Sequence, residues 1–84
     1  MRHFRMTTCE AISKRIYNLM AERGMTLYRL SQNSGASQSA LQFITKNKIK
    51  SVTLSTIIQI ASGFDMQIWD FLNDPLFKES NFDF

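Results

Sequence analysis

The sequence predicts an all-α fold: a compact bundle of five helices, with material for one extra C-terminal turn. Three observations predict it. Apolar residues recur every three or four positions, and no stretch alternates apolar and polar residues as a half-buried strand would. A hydroxyl-bearing residue stands before each of four such runs, at Thr7, Thr26, Ser37 and Thr53, where helix N-caps belong. The length of 84 residues, 44% of them hydrophobic and 12% aromatic, suits one domain with a single core.

The first helix is expected over residues 8–23. Cys9, Ile12, Ile16, Leu19 and the aliphatic stem of Arg23 follow the helical period. Thr7 and Glu10 have the spacing of a capping box, and Gly24 offers a left-handed exit. Thr26 caps a short second helix, "LYRLSQN", with Leu27 and Leu30 turned inward. Ser34, Gly35 and Ala36 break it.

Ser37 starts a third short helix over 37–45, and a basic loop, "KNKIKSV", follows. Thr53 caps a fourth helix that places Leu54, Ile57, Ile58 and Ala61 on one face and ends near residues 63–65. The segment "QIWDFLN" makes the fifth, with Trp69, Phe71 and Leu72 closing the bottom of the core. Asp74-Pro75 then reads as an N-cap followed by a proline at the first helical position. Met20, Met25 and Met66 are expected to fill the core, and Cys9 to behave as a small buried hydrophobe. His3 is read as a terminal residue without a role.

Charge is unevenly spread. Residues 1–50 carry nine lysines and arginines against Glu10 and Glu22, a balance of +7. Residues 51–84 carry Lys78 against five acids, a balance of −4. A basic half on a small domain fits either a polyanionic partner or an unevenly solvated surface. No stretch approaches the ~20 apolar residues of a membrane span, and the basic N-terminus lacks a secretory apolar core. The cytoplasm is the expected compartment. An enzyme is not expected. One histidine and one cysteine cannot assemble a metal cluster. A Cys9–His3 pair lacks an orienting group, and three glycines make no phosphate loop. Neither a cofactor nor a metal is called for.

The third helix carries the functional signal. Two short helices joined by a glycine-bearing turn form a helix-turn-helix, here about residues 26–45. Advancing about 100° per residue, Gln38, Gln42, Ser39 and Phe43 fall within roughly 140° of one another. Ala40, Leu41 and Ile44 fall opposite and are expected to anchor the helix. The outward set is uncharged and small enough for close approach. Glutamine offers a donor and an acceptor that match the adenine edge in the major groove, and Phe43 is suited to a thymine methyl group. Arg29, Lys46, Lys48 and Lys50 flank this face and suit phosphates, which position a reader without specifying sequence.

Residues 12–72 resemble the Cro/repressor-type helix-turn-helix domain, the xenobiotic-response-element family of bacterial and phage regulators. The likeness is carried by "RIYNLMAERGMTLYRLSQNSGASQSALQFITKNK" and "TLSTIIQIASGFDMQIWDFL". It implies a lambda-repressor-like five-helix domain over 1–72 and a transcriptional regulator that binds double-stranded DNA as a homodimer. Its place would be on the nucleoid of a bacterial or phage-infected cell. By the same likeness, Gln38 and Ser39 match positions that contact base edges, Phe43 a further such position, and Gln42 lies between them. Residues 46–48 match the loop that touches the phosphate backbone, so Asn47 and the cap residue Ser37 join the phosphate set. Three departures stand out. Leu27 replaces a glutamine that often reaches phosphate, Ser31 replaces a small apolar residue, and Phe43 is apolar where a polar residue is usual.

Residues 73–84, "NDPLFKESNFDF", form an acidic extension with three phenylalanines. One expectation is that Phe77 folds back onto the fifth helix while the last residues fray. The alternative is an exposed aromatic tail that docks on a second copy, or holds a partner protein as an antitoxin-like regulator would.

Overall fold

The computed structural model describes residues 6–48 and 50–82, so the expectation for His3 and any role of Phe84 lie outside the described residues. Five α-helices follow in order: α1 Thr8–Arg23, α2 Leu27–Ser34, α3 Gln38–Thr45, α4 Leu54–Gly63 and α5 Ile68–Leu72. Two 3-10 turns, Pro75–Phe77 and Glu79–Asn81, complete the chain. The N-terminal boundaries obey the caps. Thr7, Thr26, Ser37 and Thr53 each accept a hydrogen bond from the backbone amide three residues on. At α1 the Glu10 carboxylate also accepts from the Thr7 amide at 2.7 Å, completing the capping box.

The C-terminal ends of α1 to α4 share one device, a residue in the left-handed region. Gly24 and Gly35 serve α1 and α2, and Asn47 and Asp65, each at φ 57°, serve α3 and α4. After α1, α3 and α4 the next amide reaches back to the helix: Met25 to Met20, Lys48 to Phe43 and Met66 to Ala61. These are Schellman closures, which satisfy carbonyls that a helix end otherwise leaves bare.

One main core joins Ile12, Ile16 and Leu19 of α1 to Leu30, Leu41, Ile44, Ile57, Ile60, Phe64 and Phe71. Met20, Met25 and Met66 pack against it, and Cys9 is buried, as expected. Leu27 is half-buried at the start of α2 and packs on the same core.

The inward faces of the short helices differ from expectation in three places. Ala40 is exposed, not an anchor. Thr45 takes its place, because its hydroxyl donates to the Leu41 carbonyl at 2.9 Å and can enter the core satisfied. On α4, Leu54 and Ile58 are 62% and 46% exposed, while Ile60 is fully buried. Gly63 decides that rotation. A Cβ there would lie 2.7 Å from Ser34 Cβ and 2.8 Å from Leu30 Cδ1, so only this face lets α4 approach α2. Trp69 is 66% exposed rather than core-closing. The five residues of α5 offer one buried face, and Phe71, about 160° away around the helix, occupies it.

The extension is folded against the domain. The Phe77 ring lies 6.3 Å from that of Phe71, as expected. Instead of fraying, the chain continues to Phe82, which is buried with Met6 and Ala11 in a second small cluster. Met6 and Phe82 form a parallel bridge, and the Met6 amide donates to the Asn81 carbonyl at 2.8 Å. Asn81 in turn donates to the Pro75 carbonyl at 2.8 Å.

Arg15, one of the nine basic residues counted in the first half of the chain, does not contribute a free surface charge. It is buried, and its Nε donates to the Phe71 carbonyl at 2.8 Å and Nη2 to the Asp70 carbonyl at 3.1 Å. Nη1 meets Asp74 Oδ2 at 3.1 Å. The end of α5 and the start of the extension are thereby tied to α1.

Candidate nucleic-acid interface

The turn between α2 and α3 is held from both sides. Gly35, at φ 79°, donates its amide to the Ser31 carbonyl at 2.9 Å. The Ser31 hydroxyl donates to the Ala36 carbonyl at 2.6 Å, and the Ala36 amide donates to the Ser34 hydroxyl at 3.1 Å. Ser31 therefore does more than fit where a small apolar residue is usual: it spans the turn. Ala36 is buried beneath it. Ser37 then caps α3 by accepting from the Ala40 amide at 3.1 Å. At the far end, Ser13 of α1 donates its hydroxyl to the Thr45 carbonyl at 2.9 Å. Both ends of α3 are thus fixed to the bundle, and the helix cannot rotate freely to choose its outer face.

That outer face carries Gln38, Ser39, Gln42 and Phe43, all exposed. Among the described residues, the side chains of Gln38, Ser39 and Gln42 have no hydrogen-bond partner within the chain, so their donors and acceptors point to solvent. Ser39, Gln42, Phe43, Lys46 and Lys48 line a shallow depression of about 250 Å³. An amide, a hydroxyl, an aromatic ring and two ammonium groups border it, and among the described residues no carboxylate does.

The flanking residues divide. Lys46 and Lys48 sit on the Schellman turn of α3, so the backbone bearing them is rigid with respect to the helix. Asn47 supplies the left-handed residue of that turn, a structural role the sequence reading did not give it. Its signal was available, since asparagine is the commonest substitute for glycine at this position. Asn47 and Lys50 border a different depression with Thr7, Cys9 and Glu10, toward the start of α1. Arg29 is exposed in the first turn of α2, away from the depression on α3. Leu27 points its side chain to the core rather than outward, so no phosphate brace stands at that position.

Burial pushes the Cys9 thiol above its ordinary pKa, as in a structural rather than a reactive cysteine. Among the described residues no group of three potential ligands is placed to hold a metal, and no helix is long and apolar enough to cross a membrane.

Residues 15–75 match the model of the Cro/C1-type helix-turn-helix DNA-binding domain. Among solved structures, the chain is similar to an HTH_3-family transcriptional regulator from Vibrio cholerae. The TM-score is 0.72 at 28% identity, covering 81% of this chain and 38% of that one. This chain therefore spans well under half the length of that regulator. Protein 11 of prophage Lp1 superposes with a TM-score of 0.74 at 24% identity, over 88% of this chain and 99% of that one, a likeness of fold. No curated protein sequence matches the chain. With a family model spanning α1 from Arg15 through α5 to Pro75, and so the whole helix-turn-helix, the chain belongs to the family of Cro/C1-type helix-turn-helix DNA-binding domains.

Proposed function

We propose that this protein is a transcriptional regulator that reads a specific double-stranded DNA sequence by laying α3 in the major groove. The observation that carries this reading is the outer face of α3. Its amides and hydroxyl have no partner among the described residues, on a helix whose two ends are pinned by the α2–α3 turn and by Ser13. Unpaired hydrogen-bonding groups held in fixed directions suit base edges. Gln38, Ser39, Gln42 and Phe43 take the base edges. Lys46 and Lys48 take flanking phosphates, with Arg29, Ser37, Asn47 and Lys50 as further backbone contacts. Binding as a homodimer to two half-sites about one DNA turn apart completes the reading.

Random-site selection with the purified protein tests it. A palindromic consensus is expected, and Gln38→Ala should relax preference at particular base pairs by about 1–3 kcal/mol. Lys48→Ala should weaken all sequences alike and lower the slope of log affinity against log salt by about 0.9. Equal affinity of the wild-type protein for all sites in the library would sink the proposal.

A partner-binding tail is the weaker reading. Of the tail's aromatic rings among the described residues, Phe77 packs against the main core and Phe82 is buried in the second cluster, which leaves that reading less to rest on.

A further inference from the structure

Phe43 contributes to neither buried cluster, yet it is held in place. Its carbonyl accepts the Lys48 amide at 2.9 Å, so the Schellman turn fixes its backbone, and its side chain stays 52% exposed. The ring forms the apolar wall of the 250 Å³ depression, with Ser39 and Gln42 as neutral polar lining and Lys46 and Lys48 beside them. An occupant of this depression must combine three properties. It must present a small apolar projection to the ring, hydrogen-bonding edges to the amide and hydroxyl, and negative charge nearby for the lysines.

In the major groove one group meets that description: the methyl on C5 of a pyrimidine, set beside base-edge acceptors and flanked by phosphates. Thymine carries it, and 5-methylcytosine carries the same methyl at the same ring position. We propose that the Phe43 depression reads a C5-methylated pyrimidine, so that this protein's affinity for DNA depends on the methyl group as well as on base identity. The proposal rests on α3 lying in the major groove. Burying one methyl group against an aromatic wall corresponds to about four-fold in affinity.

The test uses the full chain and the consensus duplex from site selection. Each thymine is replaced singly by uracil, which deletes the methyl and leaves every hydrogen-bonding group in place. A loss of about four-fold is expected at one thymine in each half-site and at no other. If cytosine is placed at that position, 5-methylation should restore about the same factor. Both effects should vanish in Phe43→Ala and survive in Phe43→Leu. Circular dichroism checks that both variants fold, as an exposed position should allow.

Neutral uracil substitutions throughout, with Gln38→Ala still relaxing base preference, would overturn the methyl reading while leaving groove recognition intact. Loss of self-association in Phe43→Ala with unchanged uracil discrimination would overturn it too, placing the ring against protein. Absence of any sequence preference in the wild-type protein would defeat groove reading itself.

Discussion

Arg15 belongs by composition to the basic half of the chain, yet its guanidinium fans out to two carbonyls and a carboxylate at the junction of α1, α5 and the extension. A planar fork of donors can satisfy three acceptors at once in a way an ammonium cannot. Removing it strips Asp74 Oδ2 and the carbonyls of Asp70 and Phe71 of their guanidinium donors in a half-dry site, although the Leu76 amide still reaches Asp74 Oδ1 and the Asn73 amide the Asp70 carbonyl. Arg15→Ala should therefore cost about 2–4 kcal/mol of stability. Urea denaturation would show this as a lower midpoint with an unchanged slope, whereas a change below about 0.5 kcal/mol would mean that water replaces the arginine without loss. Arg23 behaves similarly: its guanidinium lies over the Phe64 ring and donates to the Phe64 carbonyl. Counting charges placed Arg15 in the basic half of the chain, because charge is visible in a sequence and the carboxylate that neutralises it, 59 residues away at Asp74, is not. The exposed residues of α3 were legible for the opposite reason. Their assignment needs only the local helical period and a cap at Ser37.

At the scale of elements, helix starts were more legible than helix faces. Each N-cap is a local event within four residues, and Thr7, Thr26, Ser37 and Thr53 all cap as expected. Two of the left-handed exits were also open to inspection because they are glycines. Those at Asn47 and Asp65 use residues that reach that region less readily, and they went unread. The inward face of α4 could not be read from periodicity, since Leu54 and Ile58 on one side match Ile57 and Ile60 on the other. Gly63 breaks the tie by letting α2 come close. Gly63→Ala should improve intrinsic helix propensity by about 1 kcal/mol. The new Cβ would nonetheless collide with Ser34 Cβ, which sits on backbone and cannot swing away. Overpacking of about 1–3 kcal/mol exceeds the propensity gain. Thermal melting should fall rather than rise, and a stabilised Gly63→Ala protein would show that α2 and α4 are not locked.

At the scale of the whole molecule, the extension completes the domain instead of trailing from it. Phe77 packs its ring at a tilt to that of Phe71, Asp74 holds Arg15, and Phe82 with Met6 covers Ala11. Truncation after Asn73 should therefore lower stability by several kcal/mol, through lost apolar burial and an unpaired Arg15. Sedimentation equilibrium on the same truncation addresses association separately, since a stable monomer-dimer equilibrium unaffected by the cut would exclude the tail as a dimer contact. Met6 and Phe82 pair across 76 positions of sequence, a contact which no local pattern announces.

That pairing also has a kinetic meaning. Among the described residues it closes the longest loop, at a high entropic cost, and it is rewarded by one bridge and a small apolar cluster. The helices and the turn that holds α3 rest on contacts of shorter sequence separation, which form early in a folding chain. The Met6–Phe82 junction is thus the seam expected to close last and open first, and α3 belongs to the part expected to stay shut, which hydrogen exchange of the Met6 amide against those of α3 would check.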